Sequence, residues 1–115
     1  MKKALISLLI LAAVTLLCTP VFAHPAEKVE LKWDEATSAL EVLIVHPVKN
    51  TAKHYISKIV VSVDGKTTEE RILKSQTDPK TEQAVFEIKG LKKGSKIEAE
   101  ATCNVFGKLK GSMTI

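Results

Sequence analysis

The chain has 115 residues, a formal net charge of +4, three histidines and two cysteines, which suits one domain with one hydrophobic core. Its lysines are spread along the sequence without interleaved aromatics, and the charge falls to +2 once Lys2 and Lys3 are removed, so nucleic acid is excluded as a partner. It has no Ser-His-Asp set, phosphate-cradling glycine loop or paired-carboxylate site, which argues against hydrolase chemistry.

Lys2 and Lys3 precede an apolar run from Ala4 to Leu17, and Val21 and Ala23 are the small residues a signal peptidase prefers. Residues 1–23 are therefore expected to be a signal peptide cut after Ala23, leaving a periplasmic or secreted domain over residues 24–115 that begins at His24. The apolar run is short for a membrane span, and no later segment suits one, so no membrane association is expected after cleavage. Cys18 follows Leu17, where lipidation wants a small side chain. Cleavage leaves Cys103 as the single cysteine in a compartment that oxidises thiol pairs, so it needs burial, a metal or a partner in another chain.

Lys28 to Trp33 alternates polar and apolar residues, the period-two signature of a half-buried strand, and Asp34 to Ser38 reads as a turn. Leu40 to Val45 reads as a more fully buried strand that delivers His46 in phase with Val42 and Ile44, and Pro47 stops its pairing. Tyr55 to Val63 is rich in β-branched residues, with Ile59, Val61 and Val63 on one face. Asp64-Gly65 is the strongest hairpin signal and favours a primed turn into a return strand over Thr67 to Leu73. Gln76 to Lys80 is a polar loop, and Ala84, Phe86 and Ile88 alternate with polar neighbours in the next strand. After the Gly90–Gly94 turn, Ile97, Ala99, Ala101 and Cys103 share one face of a strand over Lys96 to Asn104. Gly107 turns the chain into a last strand over Leu109 to Ile115. About seven strands, no helical period and no repeat predict an all-β, immunoglobulin-like sandwich.

The stretch from His46 to Ile56 carries two of the three histidines on one loop between two apolar runs. Imidazole is the commonest metal-ligating side chain, so His46 and His54 form a candidate half-site, with His24 and Cys103 as the remaining candidate ligands. Taken singly, each residue has a plainer reading: a surface or hydrogen-bonded histidine beside a strand end, or a small buried thiol. Trp33, Tyr55 and Phe86 read as core or barrel-edge aromatics. Glu69-Glu70 and Lys92-Lys93 read as solvated charges that discourage strand pairing between molecules.

His24-Pro25, His46-Pro47, His54-Tyr55-Ile56 and Cys103-Asn104-Val105-Phe106-Gly107 together resemble the superoxide reductase and desulfoferrodoxin iron domain across essentially the whole mature chain. The resemblance implies a mononuclear, non-haem Fe(2+) held by four equatorial histidines and an axial cysteine thiolate on an immunoglobulin-like fold. Its sixth position is open to superoxide, which is reduced to hydrogen peroxide with electrons from an external donor. Imidazole suits Fe(II), and a thiolate opposite the open position pushes electron density towards it. On this likeness His24, His46, His54 and Cys103 are the metal ligands. Three departures stand out. Phe106 replaces the family's fourth histidine, and the His46-to-His54 spacing is about two residues longer than the family's. The family's Glu-Lys pair would fall on Phe22-Ala23, leaving Lys49 or Lys53 to supply the positive charge that draws superoxide. Cleavage after Ala23 would free the α-amine of His24 as a substitute nitrogen donor. Two other classes stay open: a non-enzymatic periplasmic carrier with copper as its metal, and an immunoglobulin-like interaction module with a degenerate site. Homo-oligomer formation is also left open.

Overall fold

The computed structural model describes residues 24–115, so the expected signal peptide lies outside the described residues. Seven strands follow one another: β1 Lys28–Asp34, β2 Ala39–Val45, β3 Ile56–Val63, β4 Lys66–Ile72, β5 Thr81–Glu87, β6 Lys96–Cys103 and β7 Lys108–Thr114. A three-stranded sheet of order β1-β2-β5 packs on a four-stranded sheet of order β4-β3-β6-β7, with every pairing antiparallel. The fold is the all-β sandwich that the alternating sequence predicts.

Alternation sends one set of side chains from each sheet inward. Leu40, Val42 and Ile44 of β2 meet Ile59 and Val61 of β3 and Ile97, Ala99 and Ala101 of β6, all fully buried, with Ala84 and Phe86 of β5 alongside. Trp33 is half-buried against this core. Asp64 and Gly65 have φ of 49° and 83°, the two left-handed residues that a type I′ turn requires. The hairpin forms where its dipeptide predicts it.

The two sides of the sandwich are closed differently. On one side β7 passes so close to β1 that a Cβ at Gly111 would collide with the carbonyl oxygen of Val29. On the other, Arg71 of β4 reaches over β5, donating from Nη2 to the Val85 carbonyl at 3.0 Å while its guanidinium lies 4.3 Å from the centre of the Phe86 ring. That contact covers the seam between the two edge strands.

One local feature departs from simple alternation. In register with β6, Ile56 pairs with Cys103 but Lys58 pairs with Thr102, so an extra residue is accommodated between them. This β-bulge lets Ile56 and Ile59 both enter the core although their spacing is odd. Tyr55, placed in the strand by its sequence, lies instead in the preceding loop.

The antiparallel order gathers four connections at one end of the sandwich: the segment before β1 and the loops β2–β3, β4–β5 and β6–β7. His24, His46, His54 and Cys103 all belong to that end. Gly111→Ala is expected to push β7 away from β1 and to lower stability by about 1–3 kcal/mol, the usual cost of overpacking. The shift in urea midpoint is the measurement.

Candidate metal centre

His46 continues the inward phase of β2 and is fully buried. Its backbone N–H donates to the Lys80 carbonyl at 2.9 Å, and its ring nitrogen Nδ1 lies 2.7 Å from Oε1 of Gln76. The ring is thus fixed from below by the β4–β5 loop.

His54 reaches the same point from a turn built on Asn50. The Asn50 carbonyl accepts from the N–H groups of Lys53 and His54 at 3.2 and 2.9 Å, and the Asn50 side chain accepts from the N–H of Ala52 at 3.0 Å. Asn104, one residue beyond Cys103, then ties this turn to the end of β6. Its Oδ1 accepts from the Tyr55 N–H at 2.8 Å, its Nδ2 donates to the Lys53 carbonyl at 2.9 Å, and its own N–H donates to the Tyr55 carbonyl at 3.0 Å. Both neighbours of His54 are held, and its Nε2 lies 3.1 Å from the Cys103 sulfur.

Cys103 is buried, and its N–H donates to the Gly107 carbonyl at 3.0 Å, closing a tight turn. Gly107 has φ of +85°, and a Cβ on it would stand 2.9 Å from Cβ of Pro25. The segment before β1 therefore lies directly on this turn and brings the His24 ring to 5.4 Å, centre to centre, from both His46 and His54. The His46 and His54 rings are 4.8 Å apart and nearly perpendicular.

All four residues singled out from the sequence thus converge. The ligand atoms of His46, His54 and Cys103 lie within 4.8 Å of one another, with the His24 imidazole beside them. Phe106 stands 63 % exposed on the surface, in the position where the resemblance expects a further histidine. An open groove of about 630 Å³ borders the cluster, lined by His24, Pro47, Val48, Lys49, Asn50 and His54. Of the two lysines considered from the sequence, Lys49 lines it and Lys53 does not. Gln76 had no signal in the sequence beyond membership of a polar loop, and the clamping role of Asn104 had none beyond its place in the cysteine motif.

The donor set suits a transition ion. Two imidazoles and a thiolate combine intermediate and soft ligands, which favour late first-row metals over magnesium or calcium. Ligands about 2.1 Å (nitrogen) and 2.3 Å (sulfur) from one ion stand roughly 3.1 Å apart at right angles and roughly 3.6 Å apart at the tetrahedral angle. The observed His54–Cys103 separation of 3.1 Å is short enough for both atoms to reach one ion. The pKa of His54 is held below the ordinary imidazole value of 6.5 by burial and by the positive charge that His46 and His24 would carry. That bias favours the neutral ring a metal needs.

The fold and these ligands define an immunoglobulin-like β-sandwich with a histidine–cysteine cluster at one end. The desulfoferrodoxin family model matches residues 19–112, and the chain belongs to that family. A superoxide reductase from Giardia intestinalis shares the fold at 20% identity and a TM-score of 0.61, over 80% of this chain and 100% of that one. A hypothetical protein from Pyrococcus horikoshii matches at 20% identity and a TM-score of 0.58, over 84% and 92% of the two chains. A superoxide reductase in the oxidised state matches at 19% identity and a TM-score of 0.57, over 84% and 94%. No curated protein matches the chain.

Asn104→Ala removes two side-chain hydrogen bonds that pin the His54 turn, and a loss of about 1–2 kcal/mol in urea unfolding is expected, together with weaker metal binding. A pH dependence follows from His54. Its folded pKa lies below its unfolded one, so the unfolded chain binds more protons as pH falls below about 6.5. The metal-free chain should hold its full stability above that value and lose part of it as pH falls through the folded pKa. A lower urea midpoint at pH 5.5 than at 7.5, with the difference reduced in His54→Gln, is the expected result.

Proposed function

We propose that this chain is an exported iron protein of the superoxide reductase type, in which His46, His54 and Cys103, assisted by His24, hold a mononuclear ferrous ion. The observation that carries the reading is the 3.1 Å separation of the His54 nitrogen and the Cys103 sulfur beside the buried His46 ring, in a chain of the desulfoferrodoxin family. Two of the solved structures that share the fold are superoxide reductases, which supports the same assignment.

Iron held by these residues would give one electron to superoxide, which with two protons leaves as hydrogen peroxide, and an external donor would restore the ferrous state. The chain's own contribution is division of the space around the cluster. Cys103 and His46 are buried on the core side, so the thiolate is shielded from water and oxidants. His24 and His54 border the groove, which is the route by which a small anion approaches. Lys49 gives that groove a positive charge and stands in for the cation that the family places before its first histidine. Solvent reaches the groove and supplies the protons.

Copper is the competing metal. With Phe106 standing where the family has a histidine, the tightest ligand set is two imidazoles and one thiolate, which copper also binds well. A copper carrier needs no substrate groove and no electron donor. Metal analysis of protein purified from its native compartment separates the two readings: iron is expected, and stoichiometric copper would replace the enzyme with the carrier. Absence of any bound metal would favour the degenerate interaction module.

Three further outcomes are expected. The oxidised iron protein should show a thiolate-to-ferric charge-transfer band that disappears in Cys103→Ser. Lys49→Ala should slow the reaction with superoxide several-fold at low ionic strength and flatten its salt dependence, both read by pulse radiolysis. Mass spectrometry of the exported protein should give His24 as the first residue, which frees its α-amine to bind beside the imidazole.

A further inference from the structure

Gln76 is 5% exposed, and its side chain reaches His46 across thirty positions of sequence. Its amide nitrogen donates to two carbonyl oxygens, that of His46 at 2.7 Å and that of Asp78 at 2.9 Å. A primary amide has two N–H donors, so both are used. Turning the amide over would set its oxygen against the same two carbonyl oxygens, which fixes the orientation.

Oε1 therefore faces Nδ1 of His46 at 2.7 Å, and because an amide oxygen only accepts, Nδ1 must carry a proton. In the neutral ring Nε2 is then a bare lone pair. The polar atom it meets is the carbonyl oxygen of His24 at 3.4 Å, another acceptor. In the neutral ring two acceptors face each other at a fully buried side chain, an arrangement that costs free energy unless a proton or a metal cation lies between them.

The loop that carries Gln76 is braced on both sides. The Gln76 N–H donates to the Thr51 carbonyl at 3.0 Å. Thr77 donates from its N–H and its hydroxyl to the buried carboxylate of Glu82, at 2.6 and 2.8 Å. The Asp78 carboxylate accepts from the N–H groups of Lys80 and Thr81 and from the Thr81 hydroxyl. Gln76 has no freedom to swing away, and its amide presents one fixed face to the ring.

We propose that Gln76 is a positioning residue that holds His46 as the Nδ1–H tautomer, so that Nε2 is always the nitrogen offered to the metal. The inference rests on the metal-site reading above and adds to it the group that selects the ligating nitrogen. Neutral histidine in water prefers the opposite tautomer. Without Gln76 part of the His46 population would present an N–H to the ion instead of a lone pair.

The test uses the full chain labelled with nitrogen-15 at histidine. Long-range proton–nitrogen NMR of the metal-free protein should show the proton on Nδ1 of His46 and a bare Nε2, whereas Gln76→Leu should move the ring towards the Nε2–H form. Zinc affinity, measured by chelator competition, should fall about 10- to 100-fold in Gln76→Leu. Gln76→Glu keeps an acceptor for Nδ1–H while losing both donors to the loop, and it should retain the Nδ1–H tautomer and recover most of the zinc affinity. A purely structural role predicts instead that Gln76→Glu is as weak as Gln76→Leu. An Nε2–H ring in the wild-type chain, or an unchanged tautomer in Gln76→Leu, would overturn the proposal. If Gln76→Leu does not fold, the wild-type tautomer and the Gln76→Glu affinity decide the matter. A wild-type chain that binds no zinc while keeping the Nδ1–H ring would count against the metal-site reading and leave the role of Gln76 standing.

Discussion

The meeting of His54 with Cys103 depends on one short set of hydrogen bonds between Asn104 and the peptide groups on either side of His54. The two residues are forty-nine positions apart, and only the β3–β6 pairing brings their surroundings together. Pairing alone would leave a loop residue free to point anywhere. The asparagine converts strand adjacency into a fixed nitrogen-to-sulfur distance, because it holds the backbone before and after the histidine at once. The adjacent β-bulge serves the same end, since it lets Ile56 stay in the core directly opposite Cys103.

Around that link the cluster is built from two kinds of support. His46 and Cys103 are extensions of buried strand faces, so the packed core sets their positions and little entropy remains to be lost when an ion binds. His24 and His54 come from segments that lie over the end of the sandwich, and their places depend on hydrogen bonds and on the contact between Pro25 and Gly107. The rigid members of the cluster face the interior and the adjustable ones face the groove. In the function proposed above, this asymmetry would keep a thiolate dry while leaving the open side to a small anion.

Much of this architecture was legible in the residues. The strict alternations in Lys28–Trp33 and Ile97–Cys103 mark strands half-buried on one face, and Asp64-Gly65 marks the hairpin through the backbone conformation that pair allows. The ligand candidates could be singled out because histidine and cysteine are scarce here and fall in a recognisable order. Local pattern could not show what depends on distant partners. The odd spacing of Ile56 and Ile59 breaks alternation and reveals a bulge only beside β6. Gln76 and Asn104 are polar residues in polar loops until their partners, thirty and about fifty positions away, are placed next to them. Lys49 and Lys53 are equivalent in the sequence, and only the course of the loop puts the former on the groove.

Because Pro25 rests on Gly107, the segment around His24 lies at the histidine–cysteine end, while Ile115 lies at the far end of β7 beside Trp33 and Gly90. The two ends of the described residues are therefore not equivalent places to attach anything. A polyhistidine handle joined ahead of His24 would set a string of competing imidazoles next to the native ones and blur any measurement of metal binding at the cluster. The same handle fused after Ile115 would hang from the opposite pole, a sandwich length away, and leave that measurement undisturbed.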